Sequence, residues 1–414
     1  MAERFGPYLV HDELGTGGMA SVHVAEAADG TRVALKRLLP HRASEPDTVR
    51  AFLDEARLVV HLKHPNIAET YDSGKVDGAY FIAMEYVPGH TLAQLINRCA
   101  ATIGVIPFPI TVNILIQLCD ALDYAHKLTD EQGKPLHIIH RDVSPANVIL
   151  SSTGIVKLID FGIAKAASST VQSQAGVVKG KFRYMAPEYL KGKLDSRVDL
   201  WALGAVAYEL LTGKQLFHGN DDFETMFNVR YAEFEPPSKS NPDVPHDFDV
   251  IVMTALQREP DHRWQSGAAM RTALANASAE LQTTVTNAQL IEWVDWTFSD
   301  APPQPHSELS QLITILAQPT RTRQLSVADL EVSITALAPP EVKPAEPAPE
   351  RPAAKPTPPR AQPILRPMAP VERGRGWLRA CLVLVLLAAA AFGTWYYGYL
   401  PAEITDALGL ARHG

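Results

Sequence analysis

The sequence predicts an α+β fold in which a small β-rich part precedes a larger helical one, followed by a proline-rich linker and one apolar span. Three observations carry this. Apolar residues alternate with a period of two up to about residue 87 and recur with a period of 3.6 beyond it. Between the two regimes of helix, residues 140–162 (HRDVSPANVILSSTGIVKLIDFG) read as a loop, an apolar run, a turn and a second apolar run, which delivers Asp142, Asn147 and Asp160 to one end of a small hairpin. Finally, twelve prolines fall between Pro339 and Pro370, and no charged residue occurs from Ala380 to Ala402.

Taken in order, residues 8–39 read as strand, glycine turn, strand, strand. Gly15, Gly17 and Gly18 remove side chains where the backbone must come close to a ligand, although a glycine turn alone is more often a plain hairpin. Lys36 ends the following VALK run. Residues 47–63 carry Phe52, Ala56, Val59 and Val60 at helical spacing, with Glu55 among them. Two more helices are expected over Leu92–Cys99 and Ile110–His126, the second with Leu115, Leu118, Cys119, Leu122 and Ala125 on one stripe. The polar LTDEQGKPLH segment reads as an exposed turn insertion before the loop. Two carboxylates and a carboxamide at one hairpin end suit a hard divalent cation held beside phosphate oxygens.

In their order, GTGGMASV, VALK, HRDVSPAN, DFG and MAPE resemble the protein-kinase signature set, and the chain resembles the eukaryotic-like (Hanks-type) serine/threonine kinases of bacteria over roughly residues 8–275. The resemblance implies a bilobal protein-kinase fold, with a small β-rich N-lobe over about 8–87 and a larger helical C-lobe over about 88–275. It implies ATP and Mg²⁺, with Mn²⁺ able to substitute, and protein substrates bearing Ser or Thr. Leu14, Gly15, Gly17, Gly18 and Val22 would cover the nucleotide, and the Lys36 ammonium would meet the α- and β-phosphates with Glu55 as its partner. Met84 would be the gatekeeper, and backbone groups of Glu85 and Val87 would meet the adenine edge. Asp142 would orient the substrate hydroxyl, and Asn147 and Asp160 would hold the metal. His140 would brace Phe161, Asp199 would brace the loop, and Glu188 would pair with Arg263. Arg141 is expected to meet a phosphate in the segment that carries Ser168, Ser169, Thr170 and Ser173.

The chain departs from that family pattern in three places. Ala20 replaces the third glycine, Ser144 stands where a lysine usually contacts the transferred phosphate, and Lys181 stands where a threonine is usual. Lys181 is expected either to supply the cation that Ser144 lacks or to point to solvent or contact the substrate peptide. Ser144 is also what a catalytically weak or dead nucleotide-binding scaffold would show, and tyrosine specificity is a third reading, opposed by Pro145.

Residues 276–338 read as a helical or irregular extension, with runs at 288–298 and 307–317 whose Trp293, Trp296 and Phe298 either cover the larger lobe or contact a partner. Residues 339–376 favour an extended polyproline-like spacer, which at about 3.1 Å per residue reaches on the order of 100 Å. Residues 377–400 are about the length that spans a bilayer. Trp377 and the cluster Trp395, Tyr396, Tyr397 and Tyr399 fit interfacial belts, while Arg373, Arg375 and Arg379 place the preceding residues on the cytoplasmic side. The expectation is a single-pass protein of the inner membrane, with residues 401–414 as an extracytoplasmic tail too short for a sensor, and with homodimers for autophosphorylation in trans. The first residues lack the apolar stretch of a signal peptide. A net charge of −8 gives no basic footprint for nucleic acid, and Cys99, Cys119 and Cys381, the three cysteines, are spaced for packing rather than for metal or disulfide.

Overall fold

The computed structural model describes residues 3–162, 181–191, 194–281 and 284–299. The hydroxyl-rich segment after residue 163, the helical run at 307–317, the linker and the span at 377–400 lie outside the described residues. Among the described residues no helix is long and apolar enough to cross a membrane. The chain divides into two units, Met1–Pro340 and Glu341–Gly414, and everything described belongs to the first.

The period-two region forms strands β1 (Glu3–Phe5), β2 (Tyr8–Thr16), β3 (Ala20–Glu26), β4 (Arg32–Leu38), β5 (Thr70–Val76) and β6 (Ala79–Glu85), with helix α1 (Pro46–Val59) between β4 and β5. They make one antiparallel sheet in the order β1-β2-β3-β4-β6-β5. One face buries Phe5, Val10, Ala25, Leu35 and Phe81, and the other packs Ala20, Leu38 and Ile82 against Phe52 and Ala56 of α1. The helix is shorter than the 47–63 read from periodicity. His61 and Leu62 donate to Leu58 and Val59, three residues back, so the helix tightens and ends. Pro65 follows and disfavours helical backbone at His64.

The second part begins at β7 (Gly89–Thr91), which runs straight into α2 (Leu92–Thr102) and is followed by α3 (Phe108–Lys127). The Thr91 hydroxyl accepts from the Gln94 backbone N–H while the Gln94 side chain accepts from the Thr91 N–H, a reciprocal cap that starts α2. Strands β8 (Val148–Ser151) and β9 (Val156–Leu158) complete a three-stranded sheet in the order β7-β8-β9. At Gly89 the backbone comes so close to Leu150 that a Cβ would collide with its carbonyl. Then come α4 (Arg197–Thr212), α5 (Asp222–Tyr231), the single turn α6 (Pro237–Ser240), α7 (His246–Ala255), α8 (Gly267–Glu280) and α9 (Asn287–Phe298). Every residue of α4 from Val198 to Thr212 is buried, as expected of a helix that is apolar all round. Its Gly204 lets α7 approach closely, since a Cβ there would lie 2.8 Å from that of Ala255.

The expected cover of the larger lobe by the extension is found in α9. Trp293 is 1% exposed, and Leu290 and Val294 join the core formed by α2, α3, α4 and α8. Cys99 and Cys119 are buried free thiols, the first pushed up to about 11 by burial.

Candidate active site

Residues from both parts meet where β4, α1 and β9 converge. Lys36 on β4 is opposite Val22 on β3 in the sheet register, so the covering apolar side chain and the cation are set by one strand pairing. The Lys36 ammonium donates to Glu55 Oε1 at 2.8 Å and to Asp160 Oδ1 at 3.0 Å, across 19 and 124 residues of chain. Burial alone pushes this ammonium toward neutrality, but the Asp160 and Glu55 carboxylates outweigh it and hold the pKa above its ordinary value. Lys36 is therefore a fixed, buried positive charge.

The loop holding Asp142 is built from the interior outward. Asp199, at the start of α4 and 1% exposed, accepts from the backbone N–H of His140 and of Arg141 (both 2.8 Å) and from His126 Nε2 (2.8 Å). Burial raises the Asp199 pKa, yet the hydrogen bond and charge of His126 and the other donors bring the net shift below the usual carboxylate range. Three donors to one ionised, buried carboxylate make a strong anchor. His140 Nδ1 accepts from the Asp142 N–H, so its Nε2 carries the proton and donates to the Ile159 carbonyl at 3.0 Å. Its ring lies 4.5 Å from that of Phe161. The Asn147 amide donates to the Asp142 carbonyl (2.8 Å), and the Asn147 carbonyl accepts from the Ile159 N–H (2.9 Å). Asp142, Asn147 and Asp160 are thus tied together through the loop's own backbone.

Arg141 and Asp160 adopt positive φ, +65° and +55°. Non-glycine residues in that region cost energy and persist where surrounding contacts over-determine them. Here those contacts are the Asp199 anchor and the Lys36 ion pair. Arg141 Nε and Nη1 and the Tyr189 hydroxyl are buried without a hydrogen-bond partner among the described residues, around a small cavity that Asp142 and Asp199 also line.

The glycine turn is open. A Cβ on Gly15 would meet nothing within 4 Å, and on Gly17 only the Ala20 carbonyl at 3.7 Å, so internal crowding does not explain these glycines. Leu14 beside them is half exposed. Met84 lines a small cavity with Glu55, Thr70 and Phe161. The Glu85 N–H donates to the Glu69 carbonyl (2.7 Å), which leaves a contact from Glu85 to an adenine edge to its carbonyl. Val87 is buried at the same link.

For a divalent cation the donors fit. The Asn147 nitrogen is spent on the loop, so its carboxamide oxygen is the group able to take a hard cation, and the Ile159 N–H bond to the Asn147 backbone carbonyl brings the neighbouring Asp160 to the same loop. Among the described residues no group of three His, Cys, Asp or Glu forms an all-protein cage. Mg²⁺ does not require one, since it is held by one or two protein oxygens with substrate phosphates and water.

A sequence profile for the protein kinase domain matches residues 8–275, about two thirds of the chain. The chain belongs to the protein kinase family. Its curated relatives include the tyrosine-protein kinase MasK of Myxococcus xanthus, 39% identical over 68% of this chain and 44% of that one. They also include the serine/threonine-protein kinases PknB of Mycobacterium leprae (37% identical, 64% of this chain, 42% of that one) and PrkC of Bacillus subtilis (35%, 66% and 40%). This kinase chain spans less than half the length of each of them. The crystal structure of the PknI kinase domain of Mycobacterium tuberculosis is similar at a TM-score of 0.52 and 29% identity, covering 67% of this chain and 98% of that one. The fold is the bilobal protein-kinase fold.

The pairing of Glu188 with Arg263 is present, at 2.5 and 2.7 Å between the two oxygens and Nη1 and Nη2. Ser144 lies in extended backbone just before the short turn Pro145–Asn147. The Lys181 backbone opens another short turn, Lys181–Tyr184, but its side chain lies outside the described residues. Two contributors to the site's rigidity were not singled out in the sequence, His126 and Lys157. Lys157, on the face of β9 opposite Val156 and Leu158, donates to the Glu85 carboxylate at 2.8 Å and so ties the kinase's link between lobes to the hairpin. Its alternation with Val156 and Leu158 was the available signal. His126 had none, because Asp199 is 73 residues away.

Proposed function

We propose that this protein is an ATP- and Mg²⁺-dependent kinase that transfers the γ-phosphate to serine or threonine hydroxyls of proteins from the cytoplasmic face of a membrane. The observation that carries the catalytic reading is the buried Lys36 ammonium held between Glu55 and Asp160. Magnesium, when bound, neutralises charge on the phosphates that Lys36 also meets. Asn147 and Asp160 would hold it, and Asp142 would orient the attacking hydroxyl from a loop that Asp199 keeps rigid. Catalysis of this kind rests on positioning, which is what the Asp199 anchor supplies. Arg141 Nε and Nη1, which have no hydrogen-bond partner among the described residues, support ordering by a phosphate placed on the chain's own hydroxyl-rich segment, put there by a second copy of the kinase.

Incubation with labelled ATP, Mg²⁺ and a generic protein substrate, followed by phosphoamino-acid analysis, tests this reading. Phosphoserine or phosphothreonine is expected. Phosphotyrosine would favour the second reading, which the similarity to a kinase named for tyrosine supports. No transfer with retained nucleotide binding would favour the scaffold reading.

If Lys181 supplies the cation missing at Ser144, Lys181→Ala lowers kcat by roughly 10²-fold with little change in ATP affinity. Ser144→Lys combined with Lys181→Thr then recovers much of the rate, and a wild-type rate in the alanine variant would remove Lys181 from the site. The span at 377–400 would hold the full chain in the membrane fraction until detergent releases it. A chain ending near residue 370 would be soluble and active, and full-length protein in the soluble fraction would count against the anchor.

A further inference from the structure

The family match ends inside α8, yet the chain goes on to build α9 into the same core. A reciprocal cap between Thr286 and Gln289 starts this helix as firmly as the one that starts α2. Its two ends touch the three-stranded sheet at two places. At the near end the β8–β9 turn passes beneath it at Gly154, whose φ is +75° and where a Cβ would lie 2.9 Å from the Asn287 carbonyl. At the far end the Phe298 ring stacks on His90 of β7, with centroids 3.6 Å apart and planes 9° apart. One residue earlier, the Thr297 carbonyl accepts from Arg98 Nε of α2 at 2.7 Å.

Those contacts fall on the segment next to the link between lobes. His90 is three residues beyond Val87, no more than about 11 Å along the chain. In the sheet register His90 pairs with Leu150 on β8, the strand that continues from Asn147. Strand β7 has only three residues, pairs with β8 alone, and turns at once into α2. Helix α9 holds both: the strand by an aromatic stack, the helix by a hydrogen bond.

We propose that α9 is a positioning element of the nucleotide site, acting through Phe298 on His90 to fix β7 and with it the backbone at Glu85–Val87 that faces the adenine. This rests on the kinase reading of the cleft. Residues 284–299 then belong to the catalytic unit, and whatever pulls on the chain beyond Phe298 pulls on the nucleotide site.

The test uses the full chain in detergent, with ATP and non-hydrolysable ATP analogue as probes. Phe298→Ala is expected to weaken analogue binding and raise the KM for ATP by about 2- to 10-fold, the range set by losing one aromatic stack. The kcat should change less than KM does. Phe298→Tyr keeps the ring and should restore wild-type affinity. His90→Ala should reproduce the loss, and the double variant should lose no more than either single one, because both remove the same contact. Unchanged analogue affinity in Phe298→Ala would overturn the proposal and leave α9 as cover for the core. So would a fall in kcat and affinity that merely follows a loss of folded protein, read by thermal unfolding of the same samples. Wild-type chain that binds analogue but transfers no phosphate would sink the kinase reading alone, with analogue affinity still deciding the role of α9. Wild-type chain that binds no nucleotide would sink both.

Discussion

Asp160→Asn should lower phosphoryl transfer by about 10²- to 10³-fold or more, while leaving the thermal unfolding midpoint close to that of the unaltered protein. The size follows from losing a charge placed where the transition state needs it. The small structural cost follows from the geometry. Asp160 is about one third exposed, and Lys36 keeps its shorter bond to Glu55 when the Asp160 charge is gone. Lys36→Met should abolish activity as well, but not with a neutral effect on the fold. Glu55 is 3% exposed, and deleting the ammonium leaves that carboxylate buried without its cation. Breaking a buried pair from one side costs about 3–5 kcal/mol unless the survivor takes up a proton. Initial rates with saturating Mg²⁺-ATP, paired with thermal unfolding of each variant, check both statements. Substantial activity in Asp160→Asn would remove that residue from the metal site.

What could be read in advance, and what could not, divides along the range of the interaction. Periodicity located the strands and helices because it is local. It overran α1 by four residues, since Val60 and Leu62 continue the apolar pattern while the Pro65 restriction, also local but opposed, decides the outcome. The motif order placed Lys36, Glu55, Asn147 and Asp160 near one another. It did not show that Asp199 reaches His126 as well as the loop, because a buried histidine partner leaves no mark in spacing. The covering role of Trp293 was legible from its bulk and apolar neighbours. The contact of Phe298 with His90 was not, since it joins residues 208 apart that belong to no shared pattern. The positive φ of Arg141 and Asp160 was likewise invisible, because it is imposed by partners distant in the chain.

The second large effect concerns Glu188 and Arg263, and it falls on stability. Arg263 has a fully buried side chain that grips both oxygens of Glu188. It also donates to the carbonyls of Gln257 and Arg258 and lies over the Trp201 ring at 5.0 Å. Glu188 sits in the short turn Pro187–Lys191, so this one bridge fastens that turn to α4 and to the segment before α8. Arg263→Leu should therefore destabilise the protein by about 3–5 kcal/mol or slightly more, because it strands a buried carboxylate and two backbone carbonyls together. Glu188→Gln should cost less, since the amide still accepts one hydrogen bond and Arg263 keeps its carbonyl partners. The Arg263→Leu, Glu188→Gln double variant should be more stable than the sum of the single losses predicts, because the stranded charge is gone. Urea unfolding of the four proteins gives the coupling directly. Additive losses would mean that the bridge is incidental, and that Arg263 holds this region through the carbonyls alone.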